Sequence, residues 1–176
     1  SGSGGIVTGT GKLIIDTIGQ IHVLWGEGAN TNDMSLYYYS SNSGLVKDLS
    51  SYITVPSSFN SQSPFKSISA GVTPDGNINV HWFENVTSGD YSFYYNGELD
   101  TVLNLNSLPG LASSLPGLAT EYPIDTLKVD QFGNTHIVWS DMSSDGSSGS
   151  AAKIFYYNAA NQELVIVSDL IPYDAN

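Results

Sequence analysis

The chain writes nearly the same nine letters three times: "GQIHVLWGE" (Gly19 to Glu27), "GNINVHWFE" (Gly76 to Glu84) and "GNTHIVWSD" (Gly133 to Asp141). Gly19, Gly76 and Gly133 stand 57 residues apart, and Trp25, Trp82 and Trp139 keep the same 57-residue interval. A period of this size constrains the fold before anything else does. Each repeat has to be one supersecondary unit that buries its apolar face against a neighbour.

The unit can be read strand by strand. A short apolar run comes first: "KLIID" (12–16), "SISAGV" (67–72) or "TLKVD" (126–130). A turn follows, with glycine where a tight hairpin needs positive φ. The quoted segment is the second strand. Its alternation sets Ile21, Val23 and Trp25 on one side and His22 and Leu24 on the other, so both sides are largely apolar, as in a strand buried between two sheets. After a polar loop comes an aromatic strand, "SLYYYS", "YSFYYN" or "KIFYYN", and then a fourth, "GLVKDL", "ELDTVLNL" or "ELVIVSDL". Tyrosine and phenylalanine at this density favour strand over helix, and no amphipathic helix is evident.

Four antiparallel strands per repeat describe the blade of a β-propeller. The fold class expected is therefore all-β, with three four-stranded repeats. The boundaries read as a flexible segment 1–10, blades at 11–52, 66–106 and 124–176, and linkers at 53–65 and 107–123. The second linker repeats "LPGLA", a local duplication in a loop. Propellers close with roughly 4–8 blades, so three are too few. The chain reads as half of a six-bladed ring, either cut from a longer protein or completed by a second copy in a homodimer; a fibre is the open-ended alternative.

The third copy, Asp130-Gln131-Phe132-Gly133-Asn134-Thr135-His136-Ile137-Val138-Trp139, followed by an aromatic strand, resembles the blades of bacterial sialidase-like propellers. The resemblance spans about residues 11–172. It implies a propeller and raises the question of sialidase chemistry, in which an arginine triad grips the substrate carboxylate. This chain has no arginine and lacks the family's Ser-x-Asp-x-Gly-x-Thr-Trp box. That mechanism is therefore not expected here.

Charge narrows the partners. The 176 residues carry 17 acidic and 5 basic side chains, a net charge of −12, which disfavours nucleic acid and anionic membrane. There is no cysteine, hence no disulfide and no thiolate metal site, and no apolar run long enough to insert in a membrane. Richness in Ser, Asn, Gly, Thr and Tyr suggests a secreted or cell-surface protein. Asn85-Val86-Thr87 fits a glycosylation sequon.

Candidate ligand-binding residues are the acids two positions after each tryptophan, Glu27, Glu84 and Asp141, with Asp33 and Asp90 on the neighbouring loops. A ring of like carboxylates is costly unless a cation offsets it, so calcium is the candidate cofactor. Asp141, Ser143 and Asp145 have the spacing of an oxygen-ligand calcium loop, although Ala152 stands where a closing acid is expected. Trp25, Trp82 and Trp139, with Gly19, Gly76 and Gly133, read as repeat core. His22, Asn79 and His136 share one repeat position, read as structural. The function expected is a non-catalytic extracellular module binding a glycan or a protein on the loop face. Self-assembly and a carboxylate-only glycosidase are the alternatives; the latter is disfavoured because acid and base need unequal environments.

Overall fold

The computed structural model describes residues 6–28, 34–53, 65–86, 89–108, 125–141 and 153–170. These form three four-stranded antiparallel sheets, each with its strands in chain order, and no α-helix. Blade 1 holds β1 (Ile6–Ile15), β2 (Ile21–Gly28), β3 (Met34–Ser40) and β4 (Val46–Asp48). Blade 2 holds β5 (Phe65–Val72), β6 (Ile78–Val86), β7 (Gly89–Asn96) and β8 (Thr101–Asn104). Blade 3 holds β9 (Asp125–Val129), β10 (Thr135–Asp141), β11 (Lys153–Asn158) and β12 (Glu163–Ile166). The fourth strands run into short 3-10 turns at Ser50–Tyr52, Leu105–Ser107 and Val167–Leu170. One boundary differs from the sequence reading. β1 starts at Ile6 and pairs with the end of β2, across a register shift between Thr8 and Gly11, so strand replaces half of the segment read as flexible.

The period is exact at the level of register. Trp25 faces Tyr37, Trp82 faces Phe93 and Trp139 faces Phe155 across the second and third strands. Each blade therefore has two repeat-equivalent faces. One carries the tryptophan, and the other carries His22, Asn79 or His136. The tryptophan face of blade 2 (Ile78, Val80, Trp82, Phe93) packs on Leu24, Leu36 and Tyr38 of blade 1. The tryptophan face of blade 3 (Leu127, Ile137, Trp139, Phe155) packs on Phe83 and Tyr94 of blade 2. The first strands of successive blades lie side by side, β1 on β5 and β5 on β9. This is the stacking of propeller blades, and in the middle blade it buries β6 on both faces from Ile78 to Glu84, with the polar Asn79, His81 and Glu84 among them hydrogen-bonded.

Trp82 and Trp139 are wholly buried. Trp25 was grouped with them from the sequence, yet it is only half-buried and stacks on Tyr37. The reason is positional: no described blade covers the tryptophan face of blade 1.

Candidate functional site

Each second strand has two ends of different chemistry. At its start lies the hairpin turn. Gly19, Gly76 and Gly133 take φ of +84°, +82° and +88°, a region open to glycine at little cost. Three residues earlier, Asp16 and Asp130 accept hydrogen bonds from two backbone N–H groups each, Ile18 and Gln20 in one case, Phe132 and Asn134 in the other. Thr73 takes this place in the middle repeat and accepts from Asn77. The Asn134 side chain, the backbone bonds and His136 together hold Asp130 well below the usual carboxylate range.

At the shared position His22 and His136 bond to side chains, whereas Asn79 also accepts from the backbone N–H of Gly97 at 3.3 Å. His22 lies 2.9 Å from the Tyr38 hydroxyl and 3.4 Å from Asp16. His136 repeats this with Tyr156 at 2.8 Å and Asp130 at 3.2 Å. Asn79 keeps the tyrosine contact, accepting from Tyr94 at 3.3 Å, and sends its amide across to Thr135 of blade 3 at 2.8 Å.

That crossing bond forms the floor of an open cleft of about 250 Å³ between blades 2 and 3. Asn79, Tyr94 and Asn96 line it from one side and Asn134 from the other, with Asp75 and Glu98 among its polar groups. Phe132 sits in its wall with 79% of its surface exposed. Burial pushes the Tyr94 hydroxyl up to about 12, so it stays protonated and can donate. Asp75 and Glu98 accept no hydrogen bond from any described residue. Among the described residues no lysine lines the cleft. Sequence reasoning read Asn79 as structural and did not single out these residues as a binding site. The available signal was Phe132, an aromatic side chain at a turn position that Ile18 and Asp75 occupy in the other repeats.

The other end of the strand holds the acids singled out from the sequence, and there Glu27 and Glu84 turn towards the tryptophans two residues before them. The Trp25 indole donates to Glu27 at 3.0 Å, and the Trp82 indole donates to Glu84 at 3.0 Å. Residues two apart on a strand share a face, so an acid two positions after a buried tryptophan enters the blade junction. Glu84 is 2% exposed and also accepts from Ser50 of blade 1. Burial raises its pKa to about 7, against the opposing pull of the Trp82 and Ser50 bonds. Glu27, on the uncovered face, is half-buried. The two acids thus occupy unequal environments, contrary to the equal ring expected, and Glu84 is closed to a ligand.

Asp141 ends β10 and Asp90 lies at the start of β7. Asp33, Ser143 and Asp145 fall outside the described residues. Among those described, no three histidines, aspartates or glutamates converge on a metal position.

A third constellation has the geometry of a Ser-His-Asp triad. His81 lies 2.7 Å from the Ser92 hydroxyl through Nε2 and 2.7 Å from Asp125 through Nδ1. Asp125 also accepts from Ser67 at 2.6 Å and Ser69 at 2.7 Å. Burial would raise the Asp125 pKa, but the His81 charge and these donors hold it below its ordinary value. Ser92 and His81 have no exposed surface, so no acyl substrate reaches the hydroxyl. The cluster joins blade 3, through Asp125, to blade 2.

No protein-family model and no curated protein matches the chain. Its structure is similar to that of a fucose lectin from Kordia zhangzhouensis, solved in complex with methyl-fucoside. The TM-score is 0.53 at 14% sequence identity, over 89% of this chain and 96% of that one. At that identity the likeness shows the fold.

Proposed function

We propose that the chain is a non-catalytic extracellular module that binds a neutral glycan in the cleft between blades 2 and 3. The observation that carries this reading is the cleft itself. Asn79, Asn96, Asn134 and Tyr94 offer donors and acceptors beside the free carboxylates of Asp75 and Glu98. Sugar hydroxyls both donate and accept, and suit such a mixture. Phe132 presents an apolar ring on which the C–H face of a pyranose can rest. The volume suits one or two sugar rings rather than a larger cofactor. An anionic sugar is disfavoured, because the described residues of the cleft include carboxylates and no cation to meet it. The similarity to a fucose lectin supports the same reading.

The test is calorimetric titration with methyl-fucoside and a panel of neutral monosaccharides, alongside a glycan array. Binding is expected, and Phe132→Ala should weaken it about tenfold by removing the stacking surface. If no neutral sugar binds, or if Phe132→Ala binds as well as the parent, the cleft is not the site. Repeating the titration with a chelator decides whether calcium, through Asp141, Ser143 and Asp145, takes part.

We infer a second partner, another copy of the same chain. The observation favouring it is the uncovered tryptophan face of blade 1, where Leu13, Ile15 and Val46 are 65%, 64% and 56% exposed.

A further inference from the structure

Each blade junction in the chain is made in one way: the tryptophan face of the later blade seats on the histidine–tyrosine face of the earlier one. At the first junction Tyr95 lies 6.5 Å from Tyr38, and at the second Tyr157 lies 6.1 Å from Tyr94, ring centre to ring centre. Gly71 of β5 shows how close the second junction is, since a β-carbon there would stand 2.9 Å from Val129 and 3.0 Å from Leu127.

Two faces are left over, and they are one of each kind. On blade 1, Leu13, Ile15, Val23 and Tyr39 occupy the positions held by Leu127, Val129, Ile137 and Tyr157 on blade 3. Leu127 is 4% exposed, against 65% for its counterpart Leu13. On the far side of blade 3, Val138, Ile154 and Tyr156 occupy the positions of Leu24, Leu36 and Tyr38. His22 is buried, whereas the side chain of its counterpart His136 is 31% exposed. On blade 1, Leu13, Ile15, Ile21 and Val46 leave exposed apolar side chains together on one face, and such a patch marks an interaction surface.

We propose that the tryptophan face of blade 1 receives the histidine–tyrosine face of blade 3 from a second copy of this chain, head to tail. This deepens the self-pairing reading above and rests on it. The argument is continuity. The new junction repeats, position by position, a junction the chain already makes twice. Two copies give six blades, within the range in which propellers close, and a twofold arrangement buries both leftover faces at once. The pairing also builds new clefts. The turn 18–21 of one copy comes beside Asp130, His136 and Tyr156 of the other, the repeat counterparts of Thr73, Asn79 and Tyr94 in the cleft described. These clefts carry Ile18 where the internal one has Phe132, and a histidine where it has Asn79. The net charge of −12 opposes pairing, so pairing strengthens with salt.

The test uses light scattering of the whole chain over a range of concentrations. The parent is expected at twice 18.8 kDa. Leu13→Asp, on blade 1, and Val138→Asp, on blade 3, should each weaken pairing at least ~100-fold, because each buries an unpaired charge. A cooperative melt by circular dichroism checks that each still folds, and Lys128→Asp on the same blade 3 face replaces any Val138 variant that does not. Mixing the two variants should restore the two-chain mass, since Leu13→Asp copies keep a sound blade 3 and Val138→Asp copies a sound blade 1.

A parent at 18.8 kDa at every concentration ends the self-pairing reading altogether. A two-chain parent whose folded Val138→Asp or Lys128→Asp form still pairs means that blade 1 faces meet each other, which overturns only the head-to-tail geometry. Mass that keeps growing with concentration retains the junction and overturns ring closure.

Discussion

In the second repeat the carboxylate of Glu84 accepts the Trp82 indole and the Ser50 hydroxyl while almost wholly out of water. Its pKa near 7 lies above the ordinary 4.5, so the folded state holds this proton more tightly than the unfolded chain does. The stability it contributes is fully present below pH 4.5 and is lost as pH rises towards 7, a change of about 3 kcal/mol. Glu84→Gln keeps an acceptor for the indole without a charge. Urea unfolding of this variant should match the parent near pH 4 and exceed it at pH 8; equal stability at both would mean that Glu84 does not titrate in this range. The third repeat differs in length at this position. Among the described residues the Trp139 indole nitrogen is buried without a hydrogen-bond partner, and the residue two positions on in the sequence is Asp141, one methylene shorter than glutamate. Asp141→Glu should raise stability by roughly 1 kcal/mol, read as a higher melting temperature. The Trp-x-acid pattern itself was plain in the sequence. Its meaning was hidden because the blade face on which it falls, and not the loop that follows it, decides whether the acid meets solvent or an indole.

At the scale of elements, the junction between blades 2 and 3 is fastened by the Asp125, His81 and Ser92 chain, and the one between blades 1 and 2 by Lys47 and Asp100, 2.8 Å apart. The two fasteners differ in depth. Asp125 and His81 are buried, whereas Lys47 and Asp100 are partly solvated and contribute less. Asp125→Ala leaves His81, Ser67 and Ser69 without their shared acceptor and should cost about 3–5 kcal/mol at pH 7. Thermal melts check this, and a loss under 1 kcal/mol would mean the cluster holds little. As acid strips Asp125 of its charge, the parent should weaken too: its lowered pKa contributes stability present above the ordinary carboxylate value and lost as pH falls through the folded one. The strands, their order and the glycine turns were legible because all three repeats state them. Asp125 was not, because its register counterparts are Gly11 and Ile68, and a period reveals only what it repeats. The cleft escaped for a related reason. Its two walls come from different repeats, Asn79 and Tyr94 on one side and Phe132 on the other, and their closeness exists only once blades stack.

Across the whole molecule, three blades form a short one-dimensional stack, and their positions in it are not equal. Blade 2 is packed on both faces, while blades 1 and 3 each keep one face open. In such a stack, stability is roughly a sum of unit terms and neighbour terms. An end blade can therefore open at the loss of one interface, but the middle blade opens only when both are lost. Amide hydrogens record this order directly. In the isolated chain, β6 and β7 should exchange most slowly, with protection close to that for global unfolding, and β4 and β12, each an edge strand of an end blade, should exchange first. Slowest exchange in an end blade would mean the interfaces contribute little. Any partner that covers the open faces should slow exchange at the ends and leave the centre nearly unchanged, so the ends of this chain are where binding becomes rigidity.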